Sequence, residues 1–122
     1  MARKLKRVSE LTETLKEFVK QPNPAVLATL RKDGTPHQTI VWYEYDEEDD
    51  EVRISLTDTR TKYKNALRDP RVSLVVVSTE SARWLTTDDA QKNAYKEVVL
   101  EGRAQFTDKG AAKLDRRIAI NY

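Results

Sequence analysis

From Thr57 to Arg71 the chain reads Thr57-Asp58-Thr59-Arg60-Thr61-Lys62-Tyr63-Lys64-Asn65-Ala66-Leu67-Arg68-Asp69-Pro70-Arg71, an order of hydroxyls and cations suited to holding a phosphate. Arg60, Lys62, Lys64, Arg68 and Arg71 stand against only Asp58 and Asp69. Charge alone does not make a site, because Arg60, Lys64 and Arg68 at i, i+4, i+8 also describe the solvated face of a short surface helix. What favours a site is that Arg60 and Lys62 crowd the start of that helix, beside the hydroxyls of Ser55 and Thr57. First-turn N–H groups have no partner within a helix and carry the positive end of its dipole, so anions are attracted there.

The elements that position these groups follow from periodicity. In Glu51 to Thr57, Val52, Ile54 and Leu56 alternate with Arg53, Ser55 and Thr57, which is the period of a strand. Tyr63, Ala66 and Leu67 then take helical spacing, with Thr59 or Thr61 as the expected cap. Upstream, Val8, Leu11, Leu15, Phe18 and Val19 define one face of a helix over about residues 9–20, stopped by Gln21-Pro22-Asn23-Pro24. Ala25 to Leu30 and Gln38 to Tyr45 read as two strands joined through Asp33-Gly34, a hairpin whose second arm begins as an edge at Pro36. Trp42 alternates with Tyr43 and Tyr45, so at least one face of that arm is aromatic, as core, as dimer packing or as the wall of a slot for a planar ligand. The acidic run Asp46 to Asp50 reads as a solvated hairpin tip; it lacks the glycine and ligand spacing of a calcium loop. Val72 to Val77 is a buried strand, Thr79 to about Asn93 a loop or short helix holding Trp84, and Tyr95 to Phe106 the last strand, with a bulge or a close approach expected at Gly102. After Thr107, Ala111, Leu114 and Ile118 suggest a second helix. Five strands joined mostly by hairpins, with helices at the periphery, predict one mainly β domain over 1–122, a small antiparallel barrel.

Composition removes several chemistries. With 22 Lys and Arg against 20 Asp and Glu, the net charge of +2 supplies no global field for nucleic acid. The absence of Cys rules out disulfides, thiolate nucleophiles and zinc–thiolate sites, and a single His argues against metal chemistry. Glycine occurs only at positions 34, 102 and 110, so neither a dinucleotide-binding GxGxxG nor a P-loop can be written. His37 lies beside Pro36 with no GxSxG motif to supply a nucleophile, so a hydrolase triad is not expected. The basic Met1 to Arg7 leads into an amphipathic segment and no membrane span is present, so a soluble, cytoplasmic protein is expected. The high charged fraction with one Met leans towards a heat-adapted source.

Three segments together carry a family resemblance: Pro24-Ala25-Val26-Leu27-Ala28-Thr29-Leu30-Arg31-Lys32-Asp33-Gly34-Thr35-Pro36, then Thr39-Ile40-Val41-Trp42-Tyr43, then Arg60 to Leu74. They closely resemble the split β-barrel flavin and deazaflavin oxidoreductases, the pyridoxamine-phosphate-oxidase-like proteins. Tyr95 to Ala104 is similar to the family's next strand, so the likeness spans about residues 24–107. It is nearest the branch that binds coenzyme F420, a deazaflavin, with FMN as the alternative cofactor. The resemblance implies a homodimer with cofactor sites at the interface. Carried over by position, Arg60 and Lys62 hold the cofactor phosphate, with Lys64 and Asn65 as weaker candidates. Ser55 and Thr57 meet the ribityl-phosphate chain, while Gln38, Thr39 and Val41 lie along the ring system; Trp84 and the Tyr95 strand reach the partner's site. The Thr61-Lys62-Tyr63 spelling is unusual for the family, whose members usually continue into a further helix and final strand not expected here after Tyr122. No catalytic residue is implied: hydride would pass from the reduced ring to an electron-poor double bond of a small molecule, with a proton from solvent or through a Tyr. The same barrel could instead serve an FMN-dependent oxidase or reductase, or a non-catalytic module for flavin, haem or another tetrapyrrole.

Overall fold

A computed structural model describes residues 8–57, 60–78, 97–107 and 115–121. A single 3-10 turn at Val8–Glu10 precedes helix α1, Glu13–Lys20. Thr12 caps that helix, its Oγ1 accepting from the Leu15 amide at 3.3 Å, and Phe18 and Val19 bury its apolar face. Strands β1 (Ala25–Leu30) and β2 (Pro36–Val41) follow, then a short β3 (Glu44–Asp46) and β4 (Glu51–Thr57). Helix α2 spans Thr61–Arg68, and β5 (Arg71–Val77), β6 (Glu97–Thr107) and β7 (Asp115–Asn121) complete the seven strands among the described residues.

All strands lie in one antiparallel sheet of order β2-β1-β5-β6-β7-β4-β3. Its two edges, β2 and β3, are separated in sequence only by Trp42 and Tyr43, so the sheet must curl until its edges approach. The result is a split antiparallel barrel. Ala25, Leu27, Val72, Leu74, Val76, Val98 and Leu100 line its interior with Val52, Ile54 and Leu56, each at most 6 % exposed. No helix among the described residues is long and apolar enough to cross a membrane.

The expected hairpin forms as the sequence demands. Gly34 takes φ +87°, a backbone conformation glycine adopts without steric cost. Asp33 Oδ1 accepts from the Thr35 amide at 3.0 Å and from its hydroxyl at 2.6 Å. The second arm, however, is not one strand from Gln38 to Tyr45. Pairing with β1 stops at Ala25↔Val41 because Pro24 precedes β1 and cannot extend the ladder, and the chain leaves the sheet at Trp42.

Three other expectations are corrected. The last segment is a strand, not a helix: β7 pairs with β4 through Val52↔Ile120 and with β6 through Ala104↔Ile120, joining the two halves of the sheet. Ile118 and Ile120 stand two apart, the strand period, which the i, i+4 reading of Leu114 and Ile118 concealed. Gly102 is no bulge, since the β5–β6 ladder runs unbroken from Arg71↔Arg103 to Val77↔Glu97. The acidic run is not merely solvated. Asp50 accepts from the Ser9 hydroxyl at 2.8 Å and the Tyr45 hydroxyl at 2.6 Å. Arg53 pairs with Asp46, Glu51 and, at 2.7 Å, Asp49. Alternation placed Arg53 on the polar face of β4, but that face is covered here, and a buried guanidinium requires counter-charges. Trp84, Tyr95, Thr59 and Leu114 lie outside the described residues.

Candidate functional site

Helix α2 is fixed to the barrel through its inner face. The Asn65 side-chain amide donates to Thr29 Oγ1 at 3.2 Å, and both groups are buried. Arg68 donates to the Leu30 carbonyl at 2.8 Å and to Asn65 Oδ1 at 3.0 Å. Tyr63 packs its ring against Phe106 with centroids 4.9 Å apart. These contacts leave the N-terminal end of α2 over the gap between β2 and β4. Arg60 occupies the cap position and its side chain makes no capping bond, while Thr61 is the first helical residue, so neither of the expected cap assignments describes this end.

At that gap lies a cleft of about 400 Å³. Ile40, Val41, Trp42, Tyr43 and Glu44 line it together with Arg53 and Ser55 of β4, and Arg60 and Lys62 stand at the helix end. The cleft therefore sits where the barrel splits. Lys62 reaches across it, its Nζ 3.5 Å from Thr39 Oγ1. Burial lowers the Lys62 pKa, and the positive charge of Arg60 lowers it further. Neither cation forms an ion pair among the described residues. Two neighbouring cations without an ion-pair partner among the described residues carry an electrostatic cost that a bound anion relieves.

The sequence candidates divide accordingly. Val41, Ser55, Arg60 and Lys62 line the cleft, and Thr39 borders it through Lys62. Gln38 is exposed on the opposite face of β2 from Thr39 and Val41. Lys64 is exposed and does not line the cleft. The Asn65 amide is engaged with Thr29 and Arg68, and Thr57 ends β4 opposite Asp115.

Beyond the sequence candidates, Ile40, Trp42, Tyr43, Glu44 and Arg53 also line the cleft. Arg53 is only 6 % exposed and forms part of its floor. Burial alone would lower the guanidinium pKa, but the hydrogen-bonded carboxylates of Asp46 and Glu51 raise it. The available signal was an arginine two residues after a run of six acidic residues. Tyr43 contributes its ring, but its hydroxyl donates to the Val19 carbonyl at 2.8 Å and accepts from Asn23 at 3.3 Å. Burial raises its pKa, partly offset by the Asn23 bond. Burial raises Tyr45 as well, and Asp50 strengthens the effect. Both phenols are thus committed to structure and held protonated.

A larger hollow, about 630 Å³, lies against β1, β5 and β6, floored by Ala28 and Ser73 and bordered by Leu30, Pro36, Arg71 and Arg103. Arg71 is paired there with Asp69 at 2.7 Å. The convergent unpaired cations lie in the smaller cleft, which we therefore take as the site.

Residues 11–119 match the family model of pyridoxamine 5'-phosphate oxidase. The chain belongs to this family. A conserved hypothetical protein of Mycobacterium tuberculosis has a similar structure, with a TM-score of 0.69 at 22% identity, covering 91% of this chain and 80% of its own. An F420 reductase aligns with a TM-score of 0.63 at 22% identity, covering 91% of this chain and 94% of its own. A haem storage protein of Vibrio cholerae aligns at 0.65 and 13% identity, covering 92% and 91%. At these identities the neighbours establish the fold. The family includes oxidoreductases and flavin-binding proteins, and the fold also serves haem binders.

Proposed function

We propose that this protein is an oxidoreductase that binds a phosphate-bearing deazaflavin, coenzyme F420, or alternatively FMN, in the cleft at the split of the barrel. The observation that carries this reading is the Arg60–Lys62 pair, two neighbouring cations that form no ion pair among the described residues, one partly desolvated. That is the arrangement a phosphate requires. The cofactor, when bound, supplies hydride chemistry towards an unsaturated small molecule.

The chain's own residues bind and orient. Arg60 and Lys62 take the phosphate, assisted by the uncapped start of α2. The Ser55 hydroxyl lies along the tail, and Thr39 and Val41 border the ring, with Ile40 and Trp42 as an apolar rim. Neither Tyr43 nor Tyr45 is free to deliver a proton, so solvent provides it. Gln38, Lys64 and Asn65 have no direct contact in this reading.

A homodimer belongs to the same proposal. Ile40, Val26, Val75 and Val99 fall in one register row across the outer face of β2, β1, β5 and β6. Ile40 is 76 % and Val99 53 % exposed, and Trp42 beside them is 72 % exposed. An apolar row of this width is covered in a stable assembly, and a second copy would also shield the open side of the cleft. Fluorescence titration of the purified protein with coenzyme F420 and with FMN tests the reading. Saturable binding of one of them, lost on Arg60→Ala, is expected; binding of neither would overturn it.

A further inference from the structure

The Lys62 amine has features that phosphate binding does not exhaust. It is partly buried in the cleft, and among the described residues its hydrogen-bond contact is a hydroxyl, Thr39 Oγ1 at 3.5 Å. Two other lysines are neutralised by neighbours: Lys16 bridges Glu13 at 3.4 Å and Lys20 bridges Glu47 at 2.9 Å. Lys62 instead faces another cation, Arg60. An amine so placed loses its proton more readily, and burial acts in the same direction. Desolvation and a neighbouring cation are the two devices that make lysine a nucleophile near neutral pH. Arg60, always charged, remains beside it as a binding group for an anion.

We propose that Lys62 is a carbonyl-capturing site, forming a reversible imine with small aldehydes that carry an anionic group, the anion resting on Arg60. The neutral amine adds its lone pair to the carbonyl carbon. Two N–H protons and the carbonyl oxygen leave as one water, and a C=N bond remains. No oxidant or reductant is consumed, and hydrolysis reverses the step. The proposal rests on the reading of Arg60 and Lys62 as an anion site. Its consequence is regulatory: an anionic aldehyde and a phosphate-bearing cofactor exclude each other from the cleft.

The test treats the full chain with 4-formylphenyl phosphate, traps the imine with cyanoborohydride and quantifies modified peptides by mass spectrometry. Lys64, exposed on the same helix, is the internal reference. Lys62 is expected to react at least about tenfold faster than Lys64, and Arg60→Ala to remove most of that advantage, because a charge-assisted contact to phosphate is worth roughly a factor of ten or more. With benzaldehyde, which has no anion, Arg60→Ala should change the Lys62 rate by no more than about threefold, and excess FMN or coenzyme F420 should protect Lys62. Circular dichroism verifies that each variant is folded. Lys62→Arg keeps a charge but removes the amine, so modification at position 62 should be lost. Modification of Lys62 no faster than Lys64, or equal loss with both aldehydes in Arg60→Ala, overturns the proposal. Cofactor binding that depends on Arg60 and Lys62 without selective modification overturns this proposal alone. Selective modification in a protein that binds neither cofactor supports it and overturns the cofactor reading instead.

Discussion

Replacing Arg53 by Leu should destabilise the protein more than any single change in the acidic run that surrounds it. The guanidinium is 6 % exposed and is paired with three carboxylates, of which Asp46 and Glu51 are 19 % and 17 % exposed and Asp49 41 %. Leucine fills much of the volume but leaves Asp46 and Glu51 close together and largely desolvated. Removing one partner of a buried ion pair costs about 3–5 kcal/mol, because the remaining charges are stranded. Asp49 is closer to solvent, so Asp49→Asn should cost under about 1 kcal/mol. Urea unfolding followed by circular dichroism measures both at pH 7. The Arg53→Leu deficit should shrink at acidic pH. Stranded carboxyls have raised folded pKa values, so the folded variant binds more protons than its unfolded chain and gains stability as pH falls. A deficit below about 1 kcal/mol, or a loss at Asp49 equal to that at Arg53, would refute this view of the acidic hairpin.

Other consequences follow from particular contacts. Asn65→Ala should cost about 1–3 kcal/mol in unfolding experiments, because it leaves buried Thr29 Oγ1 without its donor and releases α2 from β1. Tyr43→Phe should cost roughly 1 kcal/mol in unfolding experiments, since the lost hydroxyl serves the end of α1. Phosphate or FMN affinity should fall with rising pH earlier than an ordinary lysine would dictate, because the lowered Lys62 pKa means its charge is lost sooner; Lys62→Arg should abolish that dependence. Sedimentation should give a dimer, and Ile40→Asp with Val99→Asp should yield a monomer with weakened cofactor binding.

Much of the architecture was legible in residue order. The alternation in β4, the Asp33–Gly34 turn and the helical spacing of Tyr63, Ala66 and Leu67 each express a local rule, and each element forms where the rule puts it. The cleft was legible in part. Val41, Ser55, Arg60 and Lys62 converge, but from β2, β4 and α2, and nothing local brings those elements together. That convergence depends on β2 and β3 being the sheet's two edges yet only two residues apart in sequence, a property of the whole topology. The errors have the same origin. Strand β7 reads ambiguously alone and is determined by the open slot between β4 and β6, a long-range demand. Arg53 looked solvent-facing because alternation says which face a residue takes but not what covers it. Asn65 and Arg68 looked like members of a basic helix, whereas they attach that helix to β1.

The measurement that bears most directly on the site is cofactor affinity across four proteins: the parent, Arg60→Ala, Lys62→Ala and Lys64→Ala. Each is titrated with coenzyme F420 and FMN at low and high salt. If Arg60 and Lys62 each contribute a charge-assisted hydrogen bond to phosphate, either loss should cost about 1.5–3 kcal/mol, roughly ten- to a hundred-fold in affinity, shrinking at high salt. Lys64→Ala, outside the cleft, should change affinity by less than about threefold. Equal losses at positions 60, 62 and 64 would indicate a diffuse basic surface and contradict a phosphate site at the split of the barrel.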